Sequence, residues 1–143
     1  TTVADGVSVS TSYKLGDTVI TGITPGTGAS SVLANISAGS GTVKVLKADG
    51  TENTGAVGTG NKIAVYANGT LVKQYDVVIY GDINGDGKIS VVDLVMMQKQ
   101  ILGTSQLSGA YAAAADISRD GKVSVKDLVL LQKHIINAAQ IEQ

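Results

Sequence analysis

Asp82-Ile-Asn-Gly-Asp-Gly-Lys-Ile-Ser-Val-Val-Asp93 runs without a break into Leu94-Val-Met-Met-Gln-Lys-Gln-Ile-Leu102. The design returns 34 residues later as Asp116-Ile-Ser-Arg-Asp-Gly-Lys-Val-Ser-Val-Lys-Asp127 and Leu128-Val-Leu-Leu-Gln-Lys-His-Ile-Ile136. Thirteen of the twenty-one paired positions are identical, which chance does not give, so the stretch is an internal duplication. In each copy a carboxylate-rich loop opens a run whose apolar residues recur at helical spacing.

The loops carry oxygen at the positions where an EF-hand calcium loop takes its ligands, namely 1, 3, 5, 7, 9 and 12, with Gly at 6 for the turn. In the first copy these are Asp82, Asn84, Asp86, the Lys88 carbonyl, Ser90 and Asp93, with Gly87 at the turn. In the second they are Asp116, Ser118, Asp120, the Lys122 carbonyl, Ser124 and Asp127, with Gly121. Three carboxylates at this spacing repel one another unless a cation lies between them, and a hard cation such as Ca2+ takes about six to eight oxygens. Two calcium ions are therefore expected. Asp-Gly pairs also occur as plain turn residues, but a duplicated loop with a helix behind each copy is better explained by metal. Ser118 in place of an amide, and the positive Arg119 beside it, predict a looser second site.

The helical runs have two faces. Leu94, Met97 and Ile101, and in the second copy Leu128, Leu131 and Ile135, form stripes that should pack on each other. The opposite faces carry Val92, Val95, Met96 and Lys99, and Lys126, Val129, Leu130 and Lys133. Apolar groups beside lysines on an outer face read as a partner surface. Gly103 is placed to end the first helix. Ser108 opens a short connecting helix, Gly109–Ala115. Ile141 is expected to tuck against Tyr80.

Position 12 is Asp rather than Glu in both copies, and Tyr75-Asp-Val-Val-Ile-Tyr80 before the first loop alternates like a strand rather than a helix. Loop–helix units in tandem over about 60 residues, with the signature Gly81-Asp-Ile-Asn-Gly-Asp-Gly-Lys-Ile-Ser-Val-Val-Asp-Leu94 and its partner at Asp116 to Leu128, resemble the dockerin family. The resemblance implies a calcium-stabilised, non-catalytic module that plugs a secreted bacterial protein into a cohesin domain of a scaffolding or cell-surface protein. It implies contacts to cohesin through Val91, Val92, Met96, Lys99 and Gln100 in one copy and Val125, Lys126, Leu130, Lys133 and His134 in the other. The near-symmetry would let either helix dock. Val-Val and Val-Lys at loop positions 10 and 11 depart from the Ser-Thr type pair of many enzyme-borne dockerins, which leaves the cohesin class open.

Outside the repeat, net charge is −1, with no basic face for nucleic acid. Six of the 12 acidic residues lie in the two loops, so acidity is local and ligand-like. With no Cys, thiolate zinc sites and disulfides are excluded, and calcium is the natural staple for a small extracellular fold. Phe and Trp are absent, which disfavours a sugar-stacking cleft. The chain starts at Thr1 and reads as a piece of a larger mature protein.

Residues 1–79 are rich in Gly, Thr, Val and Ala with frequent turn signals, a β-rich pattern. Strands are expected at Val7–Ser10, Thr18–Ile23, Thr42–Leu46, Lys62–Tyr66 and Leu71–Tyr80. A helix is expected over Ser30–Ile36, and hairpin turns at Ala48–Thr51 and Asn68-Gly69. Gly55-Ala-Val-Gly-Thr-Gly60 reads as a plain loop. The expected fold class is two modules, 1–79 and 80–143. The first is a β-rich domain, either a mixed sheet with one short helix or an immunoglobulin-like sandwich. The second is an all-α dockerin with two loop–helix repeats. No linker separates them, an arrangement that resembles X-module–dockerin pairs. His134 is the only His, exposed and late in a helix, so no triad can be assembled and no enzyme is expected. The expected role is a calcium-dependent, extracellular assembly module. Its alternatives are a calcium-binding or adhesion module with no cohesin partner.

Overall fold

The computed structural model describes all residues except 1, 5, 6, 17, 105, 138, 139 and 142, and describes side chains from residue 9 onward. Eight strands come first: β1 (Thr2–Ala4), β2 (Val7–Thr11), β3 (Lys14–Leu15), β4 (Val19–Thr21), β5 (Ile36–Ser37), β6 (Thr42–Leu46), β7 (Lys62–Ala67) and β8 (Thr70–Val77). Helix α1 (Ala29–Ala34) sits between β4 and β5, and α2 (Val91–Leu102), α3 (Gly109–Ala115) and α4 (Val125–Ile135) follow the strands.

The strands make two sheets. β1, β2 and β5 form an antiparallel three-stranded sheet. The other sheet has the order β3-β4-β8-β7-β6, antiparallel except where β4 runs parallel to β8. Its centre is the β7–β8 hairpin, turned by Asn68 and Gly69 with φ of 52° and 79°, the pair of positive values a tight hairpin turn requires. Alternation then sends Ile63 and Val65, and Tyr75 and Val77, into a core that also takes Val9, Ile20, Ile23, Val32 and Val45. A second core, Ile83, Met97, Ala115, Ile117 and Leu131, lies among the helices, flanked by Leu94, Ile101, Leu128 and Ile135. The two predicted helical stripes do meet there, α2 against α4.

The fold class expected from the sequence is corrected on two counts. The β region holds a mixed sheet, five strands with β4 parallel to β8, and is not an immunoglobulin-like sandwich. A separate three-stranded sheet, β1-β2-β5, goes beyond the expectation, and α1 is a short helix of six residues. The C-terminal part is not an all-α module standing after the β region. The chain leaves the β8 ladder at Val77, and Val78 and Ile79 stay fully buried. The Ile79 N–H donates to Thr59 Oγ1 at 3.0 Å, so the first loop starts inside the β region's hydrogen bonding. A third helix, α3, lies between the repeats, and its Ala114 carbonyl accepts the Gly81 N–H at 2.9 Å. No described helix is long and apolar enough to cross a membrane.

The expected tail contact is present in altered form. Ile141 lies against Gly81, next to Tyr80, and Gln143 pairs with the Tyr80 backbone, with Tyr80 N–H to Oε1 at 2.6 Å and Nε2 to the Tyr80 carbonyl at 2.9 Å. The Ile141 N–H donates to His134 Nδ1 at 3.1 Å.

Candidate metal centres and docking face

Each loop is folded by its own carboxylates before any cation is considered. Asp82 accepts the Gly85 N–H on Oδ1 and the Gly87 N–H on Oδ2, at 3.1 and 3.0 Å. Asp116 accepts Asp120 and Gly121 in the same way, at 3.2 and 2.9 Å. Asp93 accepts the N–H groups of Ile83 and Asn84 on Oδ1 and of Ser90 on Oδ2. Asp127 does the same for Ser118 and Ser124. The bonds to Ser90 and Ser124 are the side-chain half of a capping box, because both serines are N-caps and both aspartates are N3 residues. Loop and helix are thus fixed by one carboxylate.

The result is two carboxylate clusters, Asp82 with Asp86 and Asp93, and Asp116 with Asp120 and Asp127, each with one oxygen per residue within 4.8 Å of the others. The donors are all oxygen, so the set suits a hard cation and not a thiophilic metal. Asp82, Asp93 and Asp127 are fully buried. Burial, with Asp93 and Asp86 close by, raises the Asp82 carboxyl from 3.8 to about 6, although the Thr59 and Gly87 N–H groups pull the other way. Asp93 is raised mainly by burial too. Asp120, fully exposed, is held low, first by the Lys122 N–H. Fixed anions raised in this way suit a bound cation.

Of the other expected ligands, Asn84 and Asp86 bond each other inside the first loop, at 3.3 Å from Asn84 Nδ2 to Asp86 Oδ2. Ser118 Oγ lies 3.5 Å from Asp116 Oδ1. Lys88 and Lys122 give their N–H groups to Asp86 and Asp120. Arg119 stacks on the Tyr80 ring, 4.0 Å from its centroid.

The loops differ in surroundings, a feature the sequence did not announce. The first is seated on residues 53–61. The Thr59 N–H donates to Asp82 Oδ2 at 2.9 Å, and the Gly26 N–H donates to the Gly87 carbonyl at 2.8 Å. Gly58, read from the sequence as part of a plain loop, meets Gly85 and Gly87 so closely that a Cβ there would strike their backbone. The seat is stiffened by a buried amide pair, Asn53 Nδ2 to Asn61 Oδ1 at 2.7 Å. The only available sign was three glycines within six residues. Among the described residues the second loop has no such seat on residues 53–61: nothing lies within 4 Å of a Cβ built on Gly121, and its contact beyond the loop is Arg119 over the Tyr80 ring.

On the outer face, Val91, Val92, Val95, Val125 and Val129 are 41–60% exposed, and Lys99, Lys126 and Lys133 are exposed beside them. Met96 and Leu130 are half-buried and pack on the helical core. Gln100 and His134 are half-buried and accept backbone N–H groups, from Leu107 and Ile141. Two exposed apolar residues at the helix ends, Leu102 and Ile136, were missed because each is the last of its run, past the repeating stripe.

Residues 80–136 match the family model of the dockerin type I domain. Two solved complexes from Acetivibrio cellulolyticus are similar, each described as the third cohesin ScaC in complex with the ScaB dockerin, displaying a type I interaction. The one with a mutation in the N-terminal helix (IN to SI) is 25% identical, covers 46% of this chain and 92% of its own, and superposes with a TM-score of 0.43. The one with the mutation in the C-terminal helix is 26% identical over 46% and 96%, with a TM-score of 0.42. No curated protein matches the chain. Two capped loop–helix units, the position of their carboxylates and the family match agree: residues 80–136 carry the features of a dockerin and match the type I model over that segment.

Proposed function

We propose that this chain is a calcium-dependent docking module that attaches an extracellular bacterial protein to a cohesin domain. One calcium ion in each loop would be held by Asp82, Asn84, Asp86, the Lys88 carbonyl, Ser90 and Asp93, and by Asp116, Ser118, Asp120, the Lys122 carbonyl, Ser124 and Asp127. When bound, the ion neutralises three carboxylates and ties both ends of its loop together. The chain's own part is to turn that closure into surface. Asp93 and Asp127 connect each loop to the first turn of its helix, so a closed loop fixes where α2 and α4 present their outer valines.

The observation that carries the reading is this coupling: in each copy one buried aspartate belongs to the carboxylate cluster and also caps the helix that bears the exposed valines. Hydrophobic area with flanking lysines, rather than a pocket, suits a flat protein partner. Residues 1–79 would then serve as a companion module that holds the first loop.

Binding of the full chain to a cohesin panel, by calorimetry with calcium and again with EDTA, tests the proposal. Binding to at least one cohesin in calcium, lost in EDTA together with helical circular dichroism, is the expected result. Equal binding in EDTA would remove the metal from the mechanism. Calcium uptake with no cohesin bound would leave a calcium-binding or adhesion module.

A further inference from the structure

We propose that residues 53–61 of the β region are part of the first cation site and make it the tighter, slowly releasing site of the two. The inference rests on the reading above that both loops take calcium, and extends it to their inequality.

Thr59 is the clamp. Its N–H donates to Asp82 Oδ2, while its hydroxyl donates to the Ile79 carbonyl at 3.2 Å and accepts the Ile79 N–H at 3.0 Å. The carboxylate at loop position 1 is thereby held from outside its own loop, and the strand entering the loop is held by the same residue. Gly58 supplies the second hold. Its missing side chain lets the 57–59 backbone lie against Gly85 and Gly87, and a Cβ on Gly87 would meet the Val57 carbonyl at 2.7 Å. The seat itself does not bend easily, because Asn61 Oδ1 accepts both Asn53 Nδ2 and the Gly58 N–H.

In the loaded chain the first loop is held both by its own bonds and by this seat. To release the ion it must also part from its seat. Among the described residues the second loop shows neither the outside donor to its first carboxylate nor the close backbone seat. Among the described residues the donors to Asp116 are Ser118, Asp120 and Gly121 of its own loop, and Asp120 is exposed.

The test uses the full chain loaded with calcium and mixed rapidly with a fluorescent chelator. Two release phases are expected. Asp86→Asn should accelerate the slow phase and Asp120→Asn the fast one, which assigns each phase to a loop. Gly58→Ala should accelerate the slow phase at least tenfold and leave the fast phase unchanged, whereas a general loss of stability would move both. Thr59→Val, which removes only the hydroxyl bonds, should do the same to a lesser degree and serves if Gly58→Ala does not fold. A single phase, assignment of the slow phase to the second loop, or a Gly58→Ala effect on both phases or on neither overturns the inference while leaving the docking proposal standing. No calcium uptake at all would overturn both.

Discussion

Asp82 is a carboxylate without a counter-ion from the protein: among the described residues no Lys or Arg forms a salt bridge with it, and its donors are backbone N–H groups. Burial pushes it to about 6, and Asp93 moves the same way. Between its ordinary value of 3.8 and about 6, the metal-free folded chain therefore holds more protons than the unfolded chain. Metal-free stability should accordingly decline as pH rises through that window, the opposite of a salt-bridged aspartate. Calcium must displace the same protons, so its affinity for the first loop should weaken as pH falls below about 6. Calorimetric titrations at pH 5.5 and 7.5, each in two buffers of different ionisation heat, should show proton release at the lower pH and almost none at the higher. Equal release at both would mean that Asp82 is not raised. The two carboxylate clusters could be read from the sequence because such a loop is a local object: spacing alone decides which carboxylates converge. Thr59 could not, because its N–H reaches Asp82 from 23 residues away and no side-chain pattern records a backbone donor.

Each of α2 and α4 divides its apolar residues between a core and an outer face, and the two classes should respond differently to truncation. Met97 is fully buried between the helices, whereas Val92 is 54% exposed. Met97→Ala should lower the calcium-loaded stability by about 2–5 kcal/mol, while Val92→Ala should stay within about 0.5 kcal/mol and instead weaken cohesin binding. Urea unfolding and binding calorimetry on the two variants check both halves, and a stability loss from Val92→Ala as large as that from Met97→Ala would place the outer valines in a core. Helical periodicity predicted Met97 and Leu131 correctly, since a stripe at three- and four-residue spacing must face one way. It put Met96 on the outer face, where the structure half-buries it. The reason is tertiary: Met96 lines a cleft with Ile83, Leu107 and Tyr111, and the connecting segment before α3 covers what the periodicity leaves open. The short strands β3 and β5, two residues each, escaped notice because alternation cannot register over so few positions.

Over the whole molecule there are two cores and one seam. The β core and the helical core share no residue, and the contacts between them gather around Tyr80 and the first loop. Tyr80 is held by Gln143 through its backbone and by Arg119 over its ring, and the neighbouring Gly81 N–H bonds Ala114. Beyond it the seam includes the Gly58 backbone against Gly85 and Gly87, Tyr111 of α3 against Gly60, and the Gly26 and Thr59 N–H groups reaching into the loop. These two amides belong to the β region by sequence but to the loop by partner. Val57, two residues from Thr59, donates instead to the Thr27 carbonyl, inside the β region. Chelation should therefore split these neighbours. In EDTA the amides of α2 and α4 should exchange within minutes, because each helix start depends on a loop carboxylate, and Gly26 and Thr59 should lose protection with them. Val57 and the central β7–β8 ladder should keep theirs, since their bonds close within the β core. Amide hydrogen exchange of the full chain, with and without calcium, measures all of these positions at once. Retained protection at Gly26 and Thr59 in EDTA would mean that the seam holds without the ion and that the β region does not sense the loop's state. Loss at Val57 and along β7–β8 would mean that the two cores unfold as one.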